Sequence, residues 1–219
     1  VPILDVVVAD AELFLVMEYV QGEALSQLRR AARRQNQAIP LAVASAIMVG
    51  ALQGLHAAHE ARGENGELLN LVHRDVSPPN ILVGVDGITR ITDFGVARAE
   101  VRMASTQSGT LKGKIGYMSP EQVRGEPLDR RTDVFAAGVV LWEALTGRRL
   151  FKADNEAAVV LSWLTGATHR PSELNPWLPP AIDEVCMRAL AVDRRERFST
   201  AAELAEALEH AAFHAGIAI

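Results

Sequence analysis

The run at residues 73–80, His-Arg-Asp-Val-Ser-Pro-Pro-Asn, constrains this chain more than any other feature, because Thr-Asp-Phe-Gly follows it at residues 92–95. The two segments contain the carboxylates of Asp75 and Asp93 and the amide of Asn80. The apolar residues between them are typical of a short strand. One carboxylate can orient a hydroxyl group, while a carboxylate and an amide can hold Mg²⁺. The pattern therefore predicts a site for phosphoryl transfer.

Composition excludes several other classes of protein. The formal charge of −5 implies no basic face, so no nucleic-acid partner is expected. The single cysteine, Cys186, excludes a disulfide framework or a zinc cluster, and we interpret it as a packing residue in a reducing cytoplasm. No apolar run approaches the ~20 residues of a membrane span, so we expect no membrane contact within this chain, although a parent protein could be anchored elsewhere. His56 and His59 are interpreted as helix surface or core.

Hydrophobic patterning predicts an N-terminal β-hairpin followed mainly by helices. The hairpin spans residues 3–8 and 13–20, and short strands are predicted at 81–83 and 90–92 around an Asp-Gly turn. A long polar loop is predicted at 99–114. Thr200 and Glu203 have the spacing of a capping box. Helices are predicted at residues 23–34, 41–61, 133–146, 155–165, 180–191 and 200–212.

Further motifs follow the segments at residues 73–80 and 92–95 along the chain. Ser-Pro-Glu at 119–121 comes after the polar loop, Asp133 opens a buried helix, and Arg197 lies near the end. In order and spacing, over essentially the whole chain, this set resembles the protein kinase family, and in particular the bacterial eukaryotic-like serine/threonine kinases. The resemblance implies an α+β, protein-kinase-like fold with a mainly helical C-lobe and a remnant two-stranded N-lobe hairpin.

The resemblance also implies how the chain is divided. Residues 1–20 match the last two N-lobe strands and the hinge, and residues 21–219 match the C-lobe, with a catalytic loop at 73–80 and an activation segment at 93–121. The family's glycine-rich loop, strand lysine and helix glutamate have no counterpart in the sequence. Because the chain also begins with valine, we expect it to be a fragment of a longer protein. An uncovered hairpin would expose apolar surface and unpaired strand edges.

By resemblance, ATP and Mg²⁺ are the expected cofactors, and each has candidate residues here. Asp75 matches the catalytic base, and Asn80 and Asp93 match the metal ligands. Residues that match the adenine pocket come from the hairpin and from the strand after the catalytic loop. Met17 matches its back wall, the backbone of Glu18 to Val20 matches the hinge, and Leu82 would pack under the base.

Other residues match regulatory and structural positions of the family. Arg74 could grip a phosphate, and His73 and Phe94 match members of a packed hydrophobic column. Glu121 and Arg197 match a buried ion pair, and Asp133 would cap the backbone of the catalytic loop. The candidate phosphate acceptors in the polar loop are Ser105, Thr106, Ser108 and Thr110, among which the sequence does not choose.

One pair of positions departs from the family pattern. Ser77 stands where serine/threonine kinases usually have lysine, and Lys114 stands where they usually have threonine. In the family these two side chains meet at the catalytic aspartate. We therefore hypothesise an exchange, in which the Lys114 ammonium supplies the charge that faces the phosphate and Ser77 supplies the hydroxyl.

The leading interpretation is a magnesium-dependent serine/threonine protein kinase domain that transfers the γ-phosphate of ATP to protein hydroxyls. Regulation by activation-loop phosphorylation is expected, and the chain alone is expected to be incomplete. The alternative is a pseudokinase or scaffold module, against which the retention of Asp75, Asn80 and Asp93 weighs. A small-molecule phosphotransferase is a third possibility, against which the Ser-Pro-Glu segment with Arg197 weighs.

Overall fold

A computed structural model describes residues 1–9, 12–94, 115–151 and 169–219. The predicted α+β fold class is confirmed. The described strands are β1 (Ile3–Ala9), β2 (Glu12–Met17), β3 (Gly22–Ala24), β4 (Ile81–Gly84) and β5 (Thr89–Ile91). The described helices are α1 (Leu25–Arg34), α2 (Leu41–His59), α3 (Pro120–Val123), α4 (Arg131–Thr146), α5 (Pro171–Leu174), α6 (Pro180–Ala189) and α7 (Ala201–His214). Short 3₁₀ turns lie at Pro78–Asn80 and Ile115–Tyr117.

Strands β1 and β2 form a two-stranded antiparallel hairpin, as the run of valine, isoleucine and phenylalanine predicts. The prediction that the second strand extends to residue 20 was wrong, because β2 ends at Met17. The N–H of Glu18 donates to the carbonyl of Pro2 at 3.0 Å, and the chain then leaves the hairpin. Much of the hairpin is exposed apolar surface, with 66% of Leu4 and 71% of Val8 accessible to solvent.

A second sheet has the strand order β3-β4-β5, with both pairs antiparallel. Strand β3 was not predicted, and the helix predicted from residue 23 begins instead at Leu25. Three residues are too few to show an alternating pattern. Close pairing needs glycine at position 22, because a Cβ atom there would lie 2.1 Å from the carbonyl oxygen of Val83.

Helix α4 forms the centre of the core. Every residue from 132 to 145 is buried, and α2, α6 and α7 pack against it. Gly138 lets α6 approach, because a Cβ atom on Gly138 would lie 2.9 Å from the Cβ of Ala189. Cys186 is fully buried in this interface, as predicted, and burial raises the pKa of its thiol.

Helix α2 is the long, mostly apolar helix that the sequence predicts, but it ends at His59 rather than at residue 61. By length and composition alone its 19 residues could cross a membrane. In this fold it packs against α4, α7 and β5, and its buried residues include Ser45 and His59. A core helix of a water-soluble protein passes the same test of length and composition.

The ends of two helices follow the sequence signals for helix termination and capping. Helix α4 stops at Gly147, which has a φ of 67°, a conformation that glycine adopts without strain. The hydroxyl of Thr200 accepts the N–H of Glu203 at 3.1 Å. The Glu203 carboxylate accepts the N–H of Ser199 rather than that of Thr200, so the predicted capping box is only half formed.

The polar loop at 99–114 and the helix predicted at 155–165 lie outside the described residues.

Candidate active site

The candidate catalytic loop, residues 73–80, is held in place by a buried carboxylate on helix α4. Asp133 accepts the backbone N–H of His73 at 2.7 Å and that of Arg74 at 2.8 Å. Its side chain is completely buried, so these hydrogen bonds form away from competing water. Arg74 has a φ of 68°, a strained conformation for a residue with a side chain. The contact with Asp133 helps to hold the loop in this turn.

His59 is a third partner of Asp133 that sequence reasoning missed. Its Nε2 lies 2.8 Å from Oδ2 of Asp133, and both side chains are fully buried. A histidine in an apolar helix gives no local signal of a partner 74 residues away. Because a carboxylate accepts but does not donate, the Nε2–H of His59 donates to it. Asp133 thus receives hydrogen bonds from α2 and from two loop residues.

His73 links the catalytic loop to the segment with Asp93. Its Nε2 lies 2.9 Å from the carbonyl oxygen of Thr92, and its Nδ1 lies 3.3 Å from the backbone N–H of Asp75. The carbonyl can only accept and the backbone N–H can only donate, which assigns the Nε2–H tautomer to His73. The His73 ring also packs on the ring of Phe94, with centroids 4.5 Å apart. His73 therefore acts as a packing and hydrogen-bonding residue.

Asn80 lies beside Asp75 and is bound to it twice. Its Nδ2 donates to the carbonyl oxygen of Asp75 at 2.8 Å and to Oδ2 of Asp75 at 3.2 Å. Asn80 is buried in the 3₁₀ turn that leads into β4, and its own carbonyl accepts the N–H of Thr92 at 3.1 Å. Because both Nδ2 contacts point to Asp75, the amide orientation is fixed and Oδ1 faces the other side.

Asp93 follows Thr92 directly, so the Asn80–Thr92 backbone hydrogen bond brings the two candidate metal ligands to neighbouring positions. Asp93 is exposed and has a φ of 64°. An amide oxygen and a carboxylate suit Mg²⁺, which keeps waters and phosphate oxygens for its other positions. No group of three or more His, Cys, Asp and Glu side chains in the described part of the chain could hold a metal by itself. The site therefore fits a cation that arrives with a phosphate ligand.

The candidate adenine residues lie on the hairpin and on β4. Met17 ends β2, and its Sδ lies 3.7 Å from the hydroxyl of Thr92. Leu82 is half-buried on β4, the central strand of the second sheet. Glu18 is exposed and its N–H is already bonded to Pro2, whereas Val20 is half-buried. The contact between Met17 and Thr92 places the end of the hairpin next to the segment that carries Asp93.

Ser77 is buried at the start of the 3₁₀ turn, two residues after Asp75. Lys114 and the four candidate phosphate acceptors, Ser105, Thr106, Ser108 and Thr110, lie outside the described residues. Arg74 is half-buried, and its carbonyl accepts the side-chain amide of Gln122 at 2.9 Å. Within the described ranges, the buried Nε of Arg74 has no hydrogen-bond partner. The exchange hypothesis and the choice of acceptor therefore stay predictions.

Glu121 and Arg197 form a buried, two-point ion pair. Nη1 and Nη2 of Arg197 lie 2.6 and 2.9 Å from the two carboxylate oxygens of Glu121. Arg197 also donates to the carbonyls of Ala191, Val192 and Arg131. Burial acts to raise the pKa of Glu121, but the hydrogen bonds and the charge of Arg197 outweigh it, so the net shift of the pKa is downward. This pair ties α3 to the segment between α6 and α7.

Glu143, on α4, forms a second buried network that sequence reasoning missed. Its carboxylate accepts the phenol of Tyr117 at 2.9 Å and the backbone N–H of Leu150 at 3.3 Å. Arg29, on α1, binds the same carboxylate and also donates to the carbonyl of Arg148 at 3.2 Å. Burial, with the neighbouring charge of Glu143, raises the pKa of Tyr117 well above its usual range. The network fixes the 3₁₀ turn before α3 against α1 and α4.

Comparison with known proteins identifies the family of this chain. The protein kinase domain profile matches residues 1–213. The chain belongs to the protein kinase family.

Several curated bacterial kinases are similar in sequence. The tyrosine-protein kinase MasK of Myxococcus xanthus is 43% identical over 92% of this chain, and the match covers 31% of MasK. The probable serine/threonine-protein kinase PknB of Bifidobacterium longum is 36% identical over 87% of the chain and 26% of the relative. The serine/threonine-protein kinase PknL of Mycobacterium tuberculosis is 35% identical over 90% of the chain and 46% of the relative. The chain thus spans less than half the length of each of these relatives.

The fold is also similar to solved kinase structures. The crystal structure of the Mycobacterium tuberculosis PknI kinase domain aligns with a TM-score of 0.68 and 25% sequence identity. The alignment covers 95% of this chain and 70% of the PknI chain. This agreement confirms the predicted protein-kinase-like fold.

Proposed function

We propose that this chain carries the phosphoryl-transfer site of a serine/threonine protein kinase that uses ATP and Mg²⁺. The observation that carries the proposal is the arrangement of Asp75, Asn80 and Asp93. Asn80 binds Asp75 directly, the N–H of Thr92 binds the carbonyl of Asn80, and Asp93 is the next residue. These contacts support a site in which a carboxylate for the acceptor hydroxyl works with two oxygen donors for a cation.

In this mechanism Asp75 orients the acceptor hydroxyl and takes its proton as the hydroxyl oxygen bonds to the γ-phosphorus of ATP, while the bond from that phosphorus to the bridging oxygen breaks and ADP leaves. Asp133, through His73 and Arg74, keeps the loop that carries Asp75 in one conformation. Asn80 and Asp93 would hold Mg²⁺, which when bound supplies positive charge for the phosphate oxygens. Met17, the backbone of Glu18 to Val20, and Leu82 would contact the adenine.

The charge that faces the transferred phosphate is assigned by this proposal to Lys114, with Ser77 as its hydroxyl partner. The support is the position of Ser77, buried two residues after Asp75, where an ammonium group is usual in the family. Loss of one such stabilising group costs about 10²–10³ in rate. If the two residues are exchanged rather than lost, Ser77→Lys combined with Lys114→Thr should rescue most of what each single change removes. If the double variant instead loses as much rate as the two single variants together, the exchange hypothesis is contradicted.

Regulation by phosphorylation is part of the same proposal. Arg74 directly precedes Asp75, and its buried Nε is without a partner within the described ranges. A phosphate on Ser105, Thr106, Ser108 or Thr110 could satisfy that group and gain a charge-assisted bond. Arg74→Lys keeps the charge but loses the planar fork, so it should reduce the activation that follows phosphorylation.

The test is a transfer assay with the full-length protein, labelled ATP and a general protein substrate. We expect incorporation that requires Mg²⁺ and is abolished by Asp75→Ala. Asp93→Asn should raise the Mg²⁺ concentration needed for half-maximal transfer, because one ionised ligand is lost. Since one relative is named a tyrosine kinase and others serine/threonine kinases, the labelled residue should be identified by hydrolysis of the product. Transfer that persists in Asp75→Ala would contradict the proposal, and label only on tyrosine would contradict the serine/threonine assignment.

A further inference from the structure

An arginine-rich surface lies beside the proposed active site, and the chemistry proposed above does not use it. It consists of the exposed residues Arg30, Arg33 and Arg34 on α1 and Arg148 and Arg149 after α4. We call these five residues the arginine surface. The expectation that a formal charge of −5 implies no basic face was wrong for this part of the molecule, because net charge does not report how charges are distributed.

The five arginines lie in two stretches of sequence that contain no acidic residue. Between Glu23 and Glu60 there is no Asp or Glu, and α1, with the sequence LSQLRRAARR, lies wholly within that interval. Between Glu143 and Asp154 there is again none. In the described part of the chain, none of the five guanidinium groups forms an ion pair or a hydrogen bond, and the bond of Arg148 to the Thr146 hydroxyl comes from its backbone N–H. Their charges are thus available to a partner.

The fold joins the two parts of the surface. Arg29, at the same face of α1 and one turn before Arg33, donates to the carbonyl of Arg148 at 3.2 Å. The same guanidinium binds Glu143, so α1 and the end of α4 are fixed against each other. Glu143, which is acidic and lies in this region, is buried and already bound by Arg29 and Tyr117. Its charge is therefore not exposed among these arginines.

The surface is also close to the residues that would receive a substrate. Helix α1 packs against the 3₁₀ turn Pro78–Asn80, which carries the candidate metal ligand Asn80. Arg149 is near enough to Tyr117 for its charge to act on the phenol and to oppose the upward shift of the Tyr117 pKa. Tyr117 lies in the turn that precedes α3, at the end of the segment that begins with Asp93. The helix that carries three of the arginines therefore adjoins the turn with Asn80, and Arg149 lies in the neighbourhood of Tyr117.

We propose that the arginine surface binds an acidic segment of the protein substrate, rich in Asp and Glu near the acceptor hydroxyl, and so determines substrate preference. This inference rests on the proposed kinase function. Exposed arginines facing carboxylates act mainly through long-range attraction and charge complementarity, which favour the correct partner and raise its rate of association. The preference should therefore decrease as ionic strength rises.

The test compares two peptides that differ only in having Glu or Gln around one acceptor serine, with the full-length protein. We expect kcat/KM to be about three- to tenfold higher for the Glu peptide, the range that a few exposed charge pairs can supply. The variant R148E/R149E should abolish or invert this ratio. Arg195→Glu is the matched control, since Arg195 is an exposed arginine paired with Asp193 in another loop, and it should leave the ratio unchanged.

Binding of the same fluorescent peptides, measured by anisotropy without nucleotide, separates this inference from the kinase function. If neither peptide is phosphorylated, the proposed function fails, and the ratio of the two dissociation constants still tests the surface. Equal kinetics and equal binding for the two peptides would overturn the proposal. A preference that R148E/R149E leaves intact, in either measurement, would also overturn it.

Discussion

At the scale of single residues, the site depends on a few buried polar groups, each with several partners. Asp133 receives three hydrogen bonds, and Arg197 binds a carboxylate and three carbonyls. Such groups contribute specificity because leaving one partner unpaired costs more than the bond itself gains. The consequences are testable one side chain at a time.

The buried pair of Glu121 and Arg197 should be needed for folding rather than for chemistry alone. Glu121→Gln leaves the Arg197 charge buried without its carboxylate, so the free energy of unfolding should fall by about 3–5 kcal/mol. Urea unfolding of the full-length protein measures this. Arg195→Gln, which removes a partner from an exposed pair with Asp193, should change little. A Glu121→Gln variant as stable as the parent would contradict the importance of the pair.

The same pair should make stability sensitive to acid. The pKa of Glu121 is lower in the folded protein than its ordinary value of 4.5, so folding favours the ionised form. This contribution is present in full above pH 4.5 and is lost as the pH falls through the lower pKa of the folded state. The parent protein should therefore lose stability below pH 4.5 more steeply than Glu121→Gln. If the free energy of unfolding falls equally with pH in the two proteins, the pair does not contribute to the sensitivity to acid.

His59 should hold the catalytic loop through Asp133. His59→Leu removes one of three hydrogen bonds to a buried carboxylate, which should cost about 1–3 kcal/mol. His56→Leu is the matched control, because in the described part of the chain the Nδ1 of His56 has no partner. Amide hydrogen exchange at His73 and Arg74 gives a local measure, and it should quicken only in His59→Leu. Equal rates of amide exchange at His73 and Arg74 in the two variants would contradict a role of His59 in holding the catalytic loop.

At the scale of helices and strands, the core depends on close approach of α4 and α6. Gly138→Ala places a Cβ atom 2.9 Å from that of Ala189, so the helices must separate and stability should fall by about 1–3 kcal/mol. Gly54→Ala, in α2, meets nothing within 4 Å and should stabilise by about 0.5–1 kcal/mol. Thermal unfolding of the two variants should therefore shift in opposite directions. A shift of the same sign in both would contradict the packing argument.

The sequence predicted those elements whose pattern is local. The hairpin, α2 and α4 contain long apolar runs, α6 and α7 have an apolar period, and Gly147 marks the end of α4 by its own conformation. Strand β3 was missed because three residues carry no period, and Glu23 was placed in a helix that begins two residues later. Its pairing with β4 depends on Gly22, whose role appears only when Val83 is brought against it.

At the scale of the whole molecule, motif order predicted the family and the partners of the buried ion pair. The Glu121–Arg197 contact joins residues 76 apart, and it was expected because both residues match family positions. The links from His59 to Asp133 and from Arg29 to Glu143 were not expected, since neither pair has a sequence signal and each joins distant elements. The arginine surface likewise depends on the fold, which brings α1 to the end of α4.

The central claim is that Asp75 orients the acceptor hydroxyl and accepts its proton. The most direct measurement is the steady-state transfer of phosphate from ATP by the full-length protein and by its Asp75→Asn variant. Asp86→Asn, in an exposed turn after β4, serves as the control. We predict that Asp75→Asn lowers kcat by about 10²–10⁴-fold while nucleotide affinity stays near that of the parent, and that Asp86→Asn changes neither. A kcat within a few fold of the parent for Asp75→Asn would contradict the account.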